Sequence, residues 1–146
     1  LAEMGITLPE ATAPAANYIP FVQVGDTLYV SGQISMKDGE MIKGKVGDAL
    51  TVDEGAAAAK TCAISLLAQV KAACGGDLSR LKRVVKLTGF VNSTPDFGDQ
   101  PKVVNGASDF LVEVLGDAGR HSRSAVSAGS LPFGVAVEIE GVFQIA

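Results

Sequence analysis

Arg123 to Glu138 reads RSAVSAGSLPFGVAVE. Gly129, Pro132 and Gly134 punctuate its middle, so the stretch parses as two short strands joined by a turn. In the second strand Val135, Val137 and Ile139 alternate with Glu138 and Glu140. That period of two puts the carboxylates on the face away from the valines. In the first strand Val126 and Ala128 alternate with Arg123, Ala125 and Ser127. If both apolar faces meet one core, Val126 shares a face with Val137. Arg123 then falls on the side of Glu138 and Glu140, because a slip of one residue would invert the whole set. The expectation is a hairpin with one guanidinium beside two carboxylates on its non-core face. An exposed cross-strand ion pair, contributing about 0–1 kcal/mol, satisfies this pattern. So does an anion clamp, since Arg grips a carboxylate through two parallel hydrogen bonds. Beside Arg123, Glu138 would have its pKa lowered.

Outward from this stretch, Leu81 to Asn92 reads as a long alternating strand. Residues 93–100 are polar and turn-rich. Pro101 suits the first position of a helix. Val103, Ala107, Phe110, Leu111 and Val114 then recur at helical spacing until Gly116, with Asn105 off that stripe. A loop containing His121 leads into Arg123. Thr51 to Cys74 reads as the longer helix, opened by a Thr51/Glu54 capping box and closed by Gly75 and Gly76. Nearer the start, Tyr18–Val24 and Thr27–Gln33 flank Gly25-Asp26, a hairpin signal. In the second of these strands Leu28, Val30 and Gly32 share one face and Tyr29, Ser31 and Gln33 the other. Asp38-Gly39 marks a turn before a minor strand near Met41-Ile42, and residues 1–17 read as an N-terminal arm. The order strand, strand, helix, strand, helix, strand, strand gives an α+β class, with two helices on one face of a mixed sheet. The other face is expected to carry Ser31, Gln33, Thr88, Arg123, Glu138 and Glu140.

The 146 residues suggest one domain, 1–146. Hydrophobic residues make up 47% and charged ones only 19%. That is little polar cover for a small monomer and hints at a subunit interface. The net charge of −4, with no Lys/Arg cluster, speaks against a nucleic-acid partner. Cys62 and Cys74 fall on one helix, roughly 18 Å apart along its axis. That exceeds the roughly 7 Å a disulfide spans, so reduced thiols and a cytoplasmic setting are expected. The N-terminal residues lack a basic region and a long apolar run, so no signal peptide is expected, and no segment suits a membrane span. One histidine and two distant cysteines make no metal site. Ser31 has no nearby His to act as its base; its hydroxyl suits a ligand hydrogen bond or a structural strand-end role. Gly44 and Gly47 lack the Lys-Ser/Thr of a phosphate loop.

Arg123, Leu131-Pro132, Val137-Glu138 and an upstream Ser31-Gly32-Gln33 resemble the signature of the Rid family of reactive intermediate deaminases, also called the YjgF family. The resemblance runs from about Pro14 to the end. It implies a chorismate-mutase-like α+β fold and a homotrimer with clefts between subunits. It also implies an enamine/imine deaminase that needs no cofactor and turns 2-imino acids into 2-keto acids and ammonia. Arg123 would grip the substrate carboxylate and Glu138 would orient or activate water. Tyr18 would stand at the cleft rim, the Gly32 backbone would meet the ligand, and Asn105 would be the helix-borne Asn of the cleft. Ser31 and Ala125 would complete the substrate contacts, and His121 would help place Arg123. Two departures stand out: His121-Ser122 replaces the Pro-Ala common before the Arg, and Ala125 replaces a common cleft Cys. A non-catalytic trimer binding small carboxylic acids in the same cleft is the alternative.

Overall fold

The computed structural model describes residues 1, 4–11, 13 and 17–146. Its strands are β1 (Phe21–Val24), β2 (Thr27–Ile34), β3 (Met36–Lys37), β4 (Glu40–Met41), β5 (Leu81–Asn92), β6 (Ser122–Ala128) and β7 (Val137–Ile145). Its helices are α1 (Val52–Ala73) and α2 (Gln100–Leu115), with short 3₁₀ turns between elements. The main sheet runs β1-β2-β7-β5-β6, and β3-β4 forms a separate small ribbon. Only β5 and β6 pair in parallel; the other neighbours are antiparallel. The sheet is therefore mixed, as expected.

Local sequence explains the element ends. Thr51 Oγ1 accepts from the Glu54 N–H at 3.1 Å, and Glu54 Oε1 accepts from the Thr51 N–H at 3.0 Å. This reciprocal box satisfies two N–H groups the helix cannot pair by itself. Pro101 lies in the first turn of α2, and Gly116 at φ 63° ends it. Gly25, at φ 62°, makes the two-residue turn between β1 and β2.

Both helices cover one face of the sheet. Leu66, Leu67 and Val70 of α1 and Val104, Ala107 and Leu111 of α2 are buried against Leu87, Ile139 and Phe143. The helices meet closely where Gly106 faces α1: a Cβ there would lie 1.9 Å from the Ala56 carbonyl oxygen. Leu1, Met4, Ile6 and Leu8 of the arm pack on the same core; part of the expected arm, residues 2, 3, 12 and 14–16, lies outside the described residues.

The stretch from Arg123 to Glu138 is not a hairpin. β6 and β7 flank β5 on opposite sides. Their connection arches over the end of β5, where the Asn92 N–H donates to the Ala136 carbonyl and Asn92 Nδ2 to the Val135 carbonyl. The α2 crossover returns the chain parallel to β5 at the sheet edge, and β7 pairs antiparallel with the other side of β5. Face assignment changes with this. Arg123 lies opposite Leu87, and Ala125 opposite Gly89. Both therefore point to the helix side, while Val126 is 43% exposed on the open face. Glu138 and Glu140 lie opposite Phe90 and Thr88 on the open face. The expectation that Arg123 shares a face with the two carboxylates fails, because an edge strand need not turn its valine toward the core.

A second face correction comes from β2. Val30 pairs with Gly141, but Gln33 pairs with Ile139, so β2 carries one extra residue. This bulge shifts the phase of the strand. Gln33 turns to the helix side and is only 8% exposed, whereas Gly32 turns to the open face.

Candidate functional site

The Arg123 side chain is held by α2. Nη1 donates to Asn105 Oδ1 at 2.8 Å and to Ser108 Oγ at 3.1 Å; Nη2 donates to the Pro101 carbonyl at 3.2 Å. These bonds use three of the five N–H groups of a guanidinium. All three acceptors are neutral. Among the described residues the ion pairs are Lys102–Asp99 and Arg120–Asp117, and no carboxylate pairs with Arg123. A half-buried cation so oriented suits an anion that arrives from outside.

Ser108 extends the network. Its Oγ is 2.8 Å from His121 Nε2, and His121 Nδ1 is 2.6 Å from the Gly119 carbonyl oxygen. His121 thus reaches Arg123 through one intervening hydroxyl. Burial first, and then the charge of Arg123, hold the imidazole pKa below its ordinary value, against the opposing bond to Gly119. Ser108 is the residue that sequence reading missed. The available signal was its position three after Asn105, which puts both on one side of α2.

Glu138 has a different setting. It stands half-buried on the open face, and its carboxyl pKa is raised, chiefly by desolvation and then by the charge of Glu140. The lowered pKa expected from an Arg123 partner does not arise, since the two residues occupy opposite faces. Gly32 lies directly beneath the Glu138 side chain: a Cβ at Gly32 would stand 2.1 Å from Glu138 Oε2. Only a glycine leaves the carboxylate that position.

The remaining predicted residues sort around these two clusters. Ala125 is half-buried beside the core on the Arg123 side. Ser31 Oγ donates to the Ile19 carbonyl at 2.9 Å, and the Ser31 N–H donates to the Pro20 carbonyl at 2.9 Å. Its hydroxyl thereby pins the segment bearing Tyr18, which is 47% exposed. Asn105, Ala125 and Arg123 thus gather on one side of the sheet, and Gly32 and Glu138 on the other.

Two concavities accompany this arrangement. The larger, about 670 Å³, lies between the arm, the β3–β4 ribbon and α1 and includes Gln33. It contains neither Arg123 nor Glu138. The smaller, about 230 Å³, is lined by Ser108, Asp109, Val112, Arg120, His121 and Arg123. Size favours the first; the oriented guanidinium favours the second, and chemistry decides for the second. Elsewhere the cysteines are free thiols, and burial pushes the Cys62 thiol far up. No described helix is long and apolar enough to cross a membrane.

Residues 1–139 match the family described as "YjgF/chorismate_mutase-like, putative endoribonuclease". Protein TCP17 of Trypanosoma cruzi is 50% identical over 99% of this chain and 91% of its own length. A 2-iminobutanoate/2-iminopropanoate deaminase of Dermatophagoides farinae is 29% identical over 96% of this chain and 94% of its own. Among solved structures, a protein of unknown function from Agrobacterium tumefaciens superposes with a TM-score of 0.93 at 49% identity, over 99% of this chain and 89% of that one.

Proposed function

Since the chain belongs to the YjgF/chorismate-mutase-like family, we propose that it is a deaminase of small 2-imino acids and their enamine tautomers, which it hydrolyses to 2-keto acids and ammonia. The observation that carries this reading is the Arg123 guanidinium, fixed by three neutral acceptors and lacking any carboxylate partner among the described residues. A substrate carboxylate supplies the missing charge. The deaminase relative adds support, being similar over nearly the whole chain.

Arg123 and Glu138 point to opposite faces of one sheet, so one copy cannot apply both to one small ligand. The proposal therefore includes a homotrimer in which Arg123 of one copy meets Glu138 and Gly32 of the next. The open sheet face gives such an assembly something to bury: Tyr29 is 49% exposed there and Val126 43%. In the cleft Arg123 holds the carboxylate, the Gly32 backbone lies alongside, and Tyr18 borders the opening. Glu138 takes a proton from water as the water oxygen adds to the imine carbon, and passes it to the nitrogen, giving a tetrahedral adduct with one hydroxyl and one amino group. Glu138 then carries the hydroxyl proton to the amino group, the C–N bond breaks, and ammonia leaves as the C=O bond of the keto acid forms. Desolvation, and then the charge of Glu140, raise the Glu138 carboxyl pKa above its ordinary value, which makes its carboxylate a stronger base toward water. No cofactor is invoked, because the imine carbon is electrophilic and positioning plus proton transfer suffice.

The test follows hydrolysis of freshly generated 2-iminobutanoate. The wild type accelerates it, and Arg123→Ala loses roughly a hundredfold or more in kcat/KM, as expected for losing two charged hydrogen bonds. Equal rates for the two proteins would sink the proposal. Ala125, in place of the thiol common in relatives, favours a second reading: a trimer that binds small carboxylic acids without turnover. Thermal stabilisation by 2-keto acids with no imine hydrolysis would select it. The endoribonuclease wording of the family fits this chain less well. Its net charge is −4, and both ring nitrogens of its sole histidine are engaged by Gly119 and Ser108.

A further inference from the structure

With a neutral imidazole, the hydrogen bonds behind Arg123 have one consistent direction. The Gly119 carbonyl can only accept, so His121 Nδ1 carries the proton. A neutral imidazole then presents Nε2 as an acceptor, and Ser108 must donate its O–H to it. The Ser108 oxygen is left with lone pairs for Arg123 Nη1. Half-burial and the adjacent guanidinium favour this neutral form. We infer that Ser108 and His121 are positioning residues for Arg123, forming a relay from the Gly119 carbonyl through imidazole and hydroxyl that fixes the guanidinium. The inference rests on the reading of Arg123 as the carboxylate grip.

The relay links the grip to a titration. Protonating His121 would turn Nε2 into a donor and place a second cation beside Arg123. A carboxylate bound to Arg123 offsets that repulsion and raises the His121 pKa. By reciprocity, affinity for the carboxylate rises as pH falls through that pKa. The other charges near the cluster are Asp109 on α2, Arg120 with its partner Asp117, and Arg83, which donates to the Arg120 carbonyl. All four remain constant across the variants below.

His121 is the single histidine of the chain, so one set of imidazole resonances reports on the relay. In the full chain, long-range proton–nitrogen NMR is expected to show the Nδ1–H tautomer, with a pKa below the ordinary value near 6.5. Arg123→Gln raises that pKa without ligand, and saturation of the wild type with 2-oxobutanoate raises it as well. Ser108→Ala weakens 2-oxobutanoate binding roughly tenfold, the effect of one hydrogen bond to a charged group, and Ser108→Thr restores it. An Nε2–H tautomer overturns the relay. So does an imidazole pKa unmoved by Arg123→Gln, or unaltered affinity in Ser108→Ala. If Arg123→Gln binds 2-oxobutanoate as well as the wild type, the carboxylate grip fails instead; the ligand-free tautomer and pKa measurements still decide the relay.

Discussion

At the scale of single residues, Glu138 and Arg123 are opposite electrostatic cases. Arg123 is a cation surrounded by neutral acceptors, whereas Glu138 is an acid crowded by burial and by Glu140. A raised carboxyl pKa means that the folded state holds the proton more tightly than the unfolded chain does. Its ionisation therefore opposes folding increasingly as pH climbs from the ordinary carboxylate value through the raised one. Glu138→Gln removes that penalty. Melting curves are expected to show a higher Tm for the variant at pH 7.5 and little difference near pH 4, with imine hydrolysis lost throughout. An unchanged Tm at both pH values would contradict the burial of this acid. On the proposed reading, the folded protein accepts some instability above the ordinary carboxylate pKa to keep a proton-carrying carboxyl on a half-dry face.

At the scale of elements, close approach matters more than propensity. Gly106 sits inside α2, where alanine would gain about 1 kcal/mol by helix propensity. Its added Cβ would meet the Ala56 carbonyl at 1.9 Å, and a backbone atom cannot swing aside. Gly106→Ala is expected to lower stability by about 1–3 kcal/mol, read from the urea midpoint. Gly32 gives the contrasting outcome. Its Cβ would strike only the mobile end of Glu138, at 2.1 Å. Gly32→Ala should leave the Tm within a few degrees of wild type while displacing the carboxylate and cutting imine turnover. The β2 bulge underlies this, because it turns residue 32 rather than residue 33 toward Glu138. A variant that melts early but keeps full activity would reverse the assignment.

At the scale of the whole molecule, the chain divides its candidate chemistry between two faces of one sheet. Arg123 with Asn105 belongs to the helix side, and Glu138 with Gly32 to the open side. If neighbouring copies complete the site, mixing two inactive proteins restores part of it. Arg123→Ala and Glu138→Gln chains, refolded together, should regain a clear fraction of wild-type imine hydrolysis, since some clefts then receive both intact residues. Each variant alone should stay inactive. Tyr29→Glu on the open face should shift the sedimentation coefficient toward a monomer and abolish turnover with it. A Tyr29→Glu protein that remains fully active as a monomer would end the shared-site proposal.

The amino-acid sequence determined what local rules govern. Thr51 with Glu54, Pro101, Gly116 and Gly25-Asp26 mark element boundaries through capping and turn chemistry within a few residues, and the helices and strands begin and end there. The Arg, Leu-Pro and Glu spacing pointed to the family for the same reason, as a linear pattern. Strand neighbours and strand faces were not legible. Alternation fixes which residues share a side but not which side meets the core, and Val126 looked like core while standing exposed at a sheet edge. Nor does a linear pattern reveal that β5 separates β6 from β7, that one extra residue inverts the end of β2, or that Ser108 bridges Arg123 and His121. Those outcomes depend on which distant segments pack together, and burial energy summed over the whole core decides that.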